Sequence, residues 1–132
     1  MSKTIGLILF AHGARDPRWA APFEAVAARL RERHPAATVR LAFLEFMAPT
    51  LPVAAAELVA SGCDGVAVLP MFLGAGGHVR KDLPLLLEAM RAAHPRTVFT
   101  LHPAIGEVAG VIDAMADAAA GLLAPAATGA PA

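Results

Sequence analysis

The chain alternates four times between a short apolar run and a longer stretch with helical spacing. Ile5 to Ala11 is apolar throughout, the pattern of a strand buried on both faces. Phe23, Val26, Ala27 and Leu30 then fall at i, i+3, i+4 and i+7, one face of a helix, with Pro22 tolerated in its first turn. Thr38 to Glu45 reads as a second strand carrying Arg40. Thr50 is placed to cap a helix that runs through Leu58 and stops at Ser61-Gly62. Gly65 to Leu69 is a third strand, again wholly apolar. Asp82 is the expected cap of the next helix, in which Leu83, Leu86, Leu87 and Met90 repeat the helical spacing. Thr97 to Leu101 is a shorter fourth strand with a polar Thr100. Val108, Val111, Ile112, Met115, Ala119 and Leu122 are expected to form the inner face of a last helix.

This βαβαβαβα order predicts an α/β fold: a four-stranded parallel sheet flanked by helices on both faces. The all-apolar strands one and three belong in the centre and the others at the edges, so the expected order is 2-1-3-4 with right-handed crossovers. In such sheets the ligand crevice lies beyond the carboxyl ends of the strands where the winding reverses, here between strands one and three. One domain, residues 1–123, accounts for the pattern; residues 124–132 contain only Ala, Pro, Gly and Thr and are expected to form a disordered tail. An internal echo, Arg31-Glu32-Arg33-His34-Pro35 and Arg91-Ala92-Ala93-His94-Pro95, reads as two similar helix stops at the far end of the sheet.

Charge narrows the function classes. Eleven basic and eleven acidic side chains cancel, and there is no Lys/Arg block, so neither a nucleic acid nor a membrane surface is an expected partner. The lone cysteine, Cys63, cannot form an internal disulfide and fits a small buried thiol in a reducing compartment. The apolar run near the N-terminus is too short to span a bilayer and lacks a signal-peptide layout, so the expected location is cytoplasmic.

The chemistry-bearing residues cluster where the topology predicts a crevice. Strand one runs into His12-Gly13-Ala14-Arg15-Asp16-Pro17, and strand three into Pro70-Met71-Phe72-Leu73-Gly74-Ala75-Gly76-Gly77-His78. Two histidines therefore flank the switch point, each in a glycine-containing turn, and Glu45 brings a carboxylate to the same edge at the end of strand two. Neutral imidazole is the commonest protein ligand of divalent first-row metals, and two of them with a carboxylate leave positions open for a substrate. Glycines at Gly74, Gly76 and Gly77 suit a flat ligand approaching the backbone closely; they match neither dinucleotide nor P-loop spacing. His102 follows strand four on the same edge, while Trp19 and Phe72 read as core or rim packing.

The segments His12 to Pro17, Phe43-Leu44-Glu45 and Pro70 through Gly74-Ala75-Gly76-Gly77-His78-Val79-Arg80-Lys81-Asp82-Leu83-Pro84 resemble the small, short CbiX-like sirohydrochlorin cobaltochelatases of the class II chelatase family. The resemblance covers nearly the whole chain except its tail. It implies that the chain forms half of a class II chelatase fold, pairs into a homodimer and inserts a divalent metal, cobalt, into the tetrapyrrole sirohydrochlorin. The metal is then a substrate, and no organic cofactor is implied. The resemblance carries metal ligation over to His12 and His78, proton acceptance to His12, catalysis and substrate binding to Glu45, and the substrate loop to Leu73, Gly74, Ala75, Gly76, Gly77 and His78. Ala14 stands where the family often has serine, which removes a hydroxyl contact. Arg15, Arg80 and Lys81 are placed to meet the carboxylates on the rim of such a ring.

Imidazole and carboxylate suit cobalt, nickel and iron alike, so a sirohydrochlorin ferrochelatase or a nickel chelatase stays open. A non-catalytic metal carrier using the same histidines is a further reading, though a carrier would be expected to have a richer ligand tract. A flavodoxin-like phosphate binder at the glycine loop would not require histidines on both sides of the switch point.

Overall fold

A computed structural model describes residues 4–74 and 76–123, with the side chain of His78 also outside the described part. The expected tail, residues 124–132, lies outside it too. Strands β1 (Ile5–Ala11), β2 (Thr38–Phe43), β3 (Gly65–Pro70) and β4 (Val98–Leu101) form one parallel sheet in the order β2-β1-β3-β4. Helices α1 (Ala21–Arg33), α2 (Leu51–Ala60) and α3 (Gly77–Ala93) make the crossovers, and α4 (Ala109–Ala120) ends the described chain. This is the anticipated class II chelatase-like α/β fold.

Side-chain alternation sorts each strand between two layers. Ile8 and Phe10 of β1, Val66 and Val68 of β3 and Phe99 of β4 point to one face, where Leu51 and Leu58 of α2 and Leu83, Leu87 and Met90 of α3 bury them. Cys63 is buried in this core as a small apolar group. On the other face α1 lays Val26, Ala27 and Leu30 over Leu9 and Val39, while Ala20, Phe23 and Trp19 close over Ala11 and Phe43. That second layer lies mainly over the β1–β2 half of the sheet, with Leu69 of β3 and Met71 packed against its edge.

The internal echo has a structural meaning. His34 and His94 both sit at helix C-caps and donate their N–H groups to Leu30 and Met90 carbonyls, at 2.8 and 2.9 Å. Arg31 reaches the Val39 carbonyl at 2.7 Å, and Arg91 reaches the Phe99 carbonyl at 2.8 Å. Each arginine thus ties its helix to the strand that follows.

Four expectations need correction. β2 stops at Phe43 rather than Glu45, because Phe46 adopts φ 67° and the chain turns away. α3 starts at Gly77 after an N-cap at Gly76, so Asp82 lies inside the helix and caps nothing. Asp82 and Pro84 together mimic a helix start. Pro84 is instead accommodated within α3, although it offers no N–H to the preceding turn. Thr50 does hold the N-cap position of α2, but its side chain makes no capping hydrogen bond. The largest departure is α4: Val108, Ile112 and Met115 are exposed and the helix buries no residue. Its apolar stripe exists but faces solvent rather than the chain's own core.

Candidate active site

The site is built from three loops at the carboxyl ends of β1, β2 and β3. The first two are laced together through their backbones: Leu44 N–H donates to Ala11 O at 2.9 Å, and Glu45 N–H donates to His12 O at 3.0 Å. Gly13 permits this approach. It has φ 90°, and a β-carbon there would collide with the Glu45 carbonyl oxygen. Only glycine meets both conditions without strain. His12 and Glu45 therefore emerge side by side, and both are exposed. The His12 ring packs edge-on against Phe72, with centroids 4.8 Å apart, and Phe72 in turn packs against Phe10 at 5.9 Å. Phe72 belongs to the core, as expected, but it also orients a site histidine.

The third loop is held at its base. Met71 N–H donates to Phe10 O at 2.7 Å, which carries the pairing of β3 one step past the strand. Gly106 N–H donates to Phe72 O at 3.0 Å, and a β-carbon on Gly106 would overlap the Leu73 backbone. The 3₁₀ turn Ile105–Glu107 thus clamps the start of the glycine loop. Beyond the clamp the glycines differ in kind. A β-carbon on Gly74, Gly76 or Gly77 would meet nothing within 4 Å. The fold itself does not demand glycine there; the bare backbone leaves room for an approaching ligand. Ala75 lies outside the described residues. The backbone of His78 is in the first turn of α3, facing the same edge of the sheet.

Three cationic side chains stand on the loops and helix at this edge. The Arg15 guanidinium lies 5.0 Å from the centroid of the Phe46 ring, and Phe46 is exposed despite its left-handed backbone. Such a conformation is uncommon for a bulky residue and persists where surrounding structure enforces it. Arg80 comes within 4.0 Å of the Glu107 carboxylate, which also accepts the Ala104 N–H at 3.2 Å. Arg80, His102 and Glu107 line a cavity of about 350 Å³ whose walls include Val79, Leu83 and Leu101. Lys81 is exposed on α3. Below the His12 loop, Asp16 caps the 3₁₀ turn Pro17–Ala20, and hydrogen bonds from the Arg18 side chain and backbone hold its carboxyl below the ordinary carboxylate value. A roomier hollow of about 680 Å³ runs along the outer edge of β2 past Arg40 and Glu57, off this crevice.

The structure brings the His12, Glu45 and glycine loops to one edge of the sheet at the switch point, with Phe72 against the His12 ring, Arg15 on the His12 loop, and Arg80 on α3 lining the neighbouring cavity with His102. Among the described residues no three His, Cys, Asp or Glu side chains gather closely enough to hold a metal, a set that does not include the His78 imidazole. Sequence reasoning missed Phe46, Gly106 and Glu107. Phe46 lay just past the expected end of β2 at Glu45, and Gly106 had no signal beyond an isolated glycine after His102-Pro103.

A four-stranded parallel sheet in this order, with such loops gathered at its switch point, is consistent with a class II chelatase-like α/β fold. The chain belongs to the CbiX family, whose model matches residues 6–121. It is 31% identical over 88 residues to the sirohydrochlorin cobaltochelatase of Methanococcoides burtonii, covering 67% of each chain. With that of Saccharolobus solfataricus the identity is 36% over 83 residues, covering 63% of each. Among solved structures, a cobalamin (vitamin B12) biosynthesis CbiX protein from Marinobacter aquaeolei superposes with a TM-score of 0.78 at 33% identity, over 90% of this chain and 97% of that one. The sirohydrochlorin chelatase SirB from Bacillus subtilis subspecies spizizenii, solved in complex with cobalt, shares the fold with a TM-score of 0.67 at 21% identity. The match spans 76% of this chain but 43% of SirB, a half-length correspondence.

Proposed function

We propose that the protein inserts a divalent metal, cobalt, into sirohydrochlorin, with the metal entering as a substrate. The observation that carries this reading is the lacing of His12 and Glu45 through Gly13, opposite a glycine loop whose backbone is bare, in a chain of the CbiX family. The curated relatives named as sirohydrochlorin cobaltochelatases support the substrate and the metal. Insertion exchanges one divalent ion for two pyrrole protons, so the site must present the ion to one face of the ring and accept protons there. In this reading His12 and His78 hold the incoming ion and leave coordination positions open. Glu45 takes up protons, with His12 a second acceptor once the ion has passed to the ring. The loop formed by Leu73, Gly74, Ala75, Gly76, Gly77 and His78 supports the macrocycle, and Arg15, Arg80 and Lys81 meet its rim carboxylates. The exposed Phe46 ring beside Arg15 adds an apolar surface for the ring plane.

The working form in this proposal is a homodimer of one-domain chains, residues 1–123 each, acting in the cytoplasm. A reducing compartment suits the single buried cysteine. No described helix is long and apolar enough to cross a membrane. The test is to follow the tetrapyrrole absorbance with purified protein and cobalt, nickel or iron in turn. Cobalt should give the fastest insertion. Faster insertion of another ion would reassign the metal, and tight metal binding without metallation of the ring would make the protein a carrier instead.

A further inference from the structure

The carboxyl edge of the sheet carries a concavity beside the glycine loop, between α3 and the end of β4. Its walls are apolar, with Val79 and Leu83 from α3 and Leu101 from β4, and its polar side chains are Arg80, His102 and Glu107. At about 350 Å³ it lies at the small end for ligand sites, with room for one arm of a large ligand rather than a whole substituted ring. The backbone fixes both sides. Arg80 N–H donates to Gly76 O at 3.0 Å, so the first turn of α3 rises directly from the loop. His102 N–H donates to Val68 O at 3.0 Å, one step past β4. The Glu107 carboxylate divides its oxygens between two partners: Oε2 accepts the Ala104 N–H at 3.2 Å, while Oε1 stands 4.0 Å from Nη2 of Arg80. The second contact is too long for a hydrogen bond and joins side chains that are 68% and 49% exposed. An exposed pair of this kind contributes little, so Arg80 is loosely held.

An apolar sleeve that ends in a loosely engaged guanidinium and an imidazole suits a short aliphatic chain terminating in a carboxylate. We propose that this cavity receives one carboxyalkyl arm of the ligand, and that Glu107 occupies Arg80 as a stand-in until the arm arrives. The methylene groups of the arm lie along Val79, Leu83 and Leu101. Its carboxylate takes the Arg80 guanidinium from Glu107 in a two-point pairing and accepts an N–H from the His102 ring. Glu107 keeps its bond from the Ala104 N–H throughout, so the 3₁₀ turn that clamps the start of the glycine loop is undisturbed by the exchange. In the empty site the internal carboxylate keeps small anions from capturing the cation. In the filled site two carboxylates share the neighbourhood of one guanidinium, and their repulsion favours release of the arm. The identity of the molecule that carries the arm rests on the tetrapyrrole reading; the carboxylate chemistry of the cavity does not.

Propionate is the probe for the cavity alone, and propionamide is its uncharged control. In NMR of isotope-labelled protein, propionate should shift the Arg80 Nε–H and His102 ring signals, and propionamide should leave both in place. Glu107→Gln removes the competing charge but keeps an oxygen for the Ala104 N–H. It should lower the propionate concentration for half-saturation about fivefold, the scale of one exposed ion pair, and tighten sirohydrochlorin binding by a similar factor in an absorbance titration. Arg80→Gln should abolish the propionate response of His102 and weaken sirohydrochlorin binding about tenfold, as expected for loss of a charged hydrogen-bond donor. The sign of the Glu107→Gln effect decides, because loss of a purely structural contact would loosen the loop and weaken binding. Weaker or unchanged binding in Glu107→Gln overturns the stand-in. Equal shifts from propionamide, or none from propionate, overturn the cavity as a carboxylate site. Propionate shifts in a protein that binds no sirohydrochlorin would leave the cavity in place and remove the tetrapyrrole reading instead.

Discussion

Gly106 lies so close to Leu73 that a β-carbon on the glycine would occupy the space of the Leu73 backbone. The contact is made where the glycine loop begins, so the position of that loop depends on a residue more than thirty positions further along the chain. Gly106→Ala should shift the loop and raise KM for the tetrapyrrole about tenfold, with a smaller change in kcat. Forced overpacking of this kind costs about 1–3 kcal/mol, so the melting temperature should also fall. Steady-state kinetics beside a melting curve checks it. A variant with lower stability but an unchanged KM would show that the clamp serves the fold alone.

Glycines in the two site loops should respond differently to alanine. Gly13→Ala meets both a positive φ and the Glu45 carbonyl, and should destabilise the protein by about 2 kcal/mol or more. Gly74→Ala and Gly77→Ala point their methyl groups into open space and should leave chemical denaturation nearly unchanged. Both should nevertheless weaken tetrapyrrole binding, measurable by absorbance titration, because the added methyl holds the ring away. Unaltered binding in both loop variants would remove the loop from the substrate site.

Glu45 and His12 stand together but are assigned different tasks. Glu45→Gln should keep metal affinity near wild type while slowing insertion by about a hundredfold, the usual scale for losing a general base. His12→Ala should lower both metal binding and insertion. Metal titration paired with initial insertion rates separates the two. An insertion rate unaffected by Glu45→Gln would leave His12 as the proton acceptor.

The turn at the foot of the His12 loop carries a pH dependence of known sign. The Arg18 side-chain hydrogen bonds are the main cause of the lowered Asp16 pKa, with the Arg18 backbone N–H second. A carboxyl lowered on folding stabilises the folded state at pH values above its unfolded pKa, and loses that contribution as pH falls through its folded pKa. The Asp16 cap should therefore be intact at neutral pH and released only in acid below the ordinary carboxylate range. Carboxyl NMR titration should find Asp16 below its usual value, and Arg18→Ala should return it most of the way. Asp16 and Arg18 are both exposed, so the effect should also shrink in high salt.

The sheet was legible because its central strands are apolar on both faces, so length and hydrophobicity alone ranked β1 and β3 above β2 and β4. The crevice followed from that order, since His12, Glu45 and the glycine loop had to share an edge once the strands were placed. What escaped were features that depend on contacts across the chain. Gly106 is necessary only because Leu73 returns to meet it. The real start of α3 was obscured because Asp82 and Pro84 imitate a cap and first turn, whereas the actual cap is a bare Gly76 backbone. The α4 stripe was correctly recognised as apolar, but periodicity reports only that a face seeks cover, not which surface supplies it.

Arg31 and Arg91 have a consequence at the margins of the sheet. β2 and β4 are its outer strands, and outer strands expose unpaired main-chain acceptors that another polypeptide can adopt as a template. Each arginine occupies one such acceptor, Val39 O on one side and Phe99 O on the other. A foreign strand aligning along either margin would first have to evict a guanidinium from its carbonyl, and would then lie beside a stranded positive charge. The repeated arginine at the end of two helices thus acts as a pair of gatekeepers against runaway sheet growth, a safeguard useful to a small apolar chain.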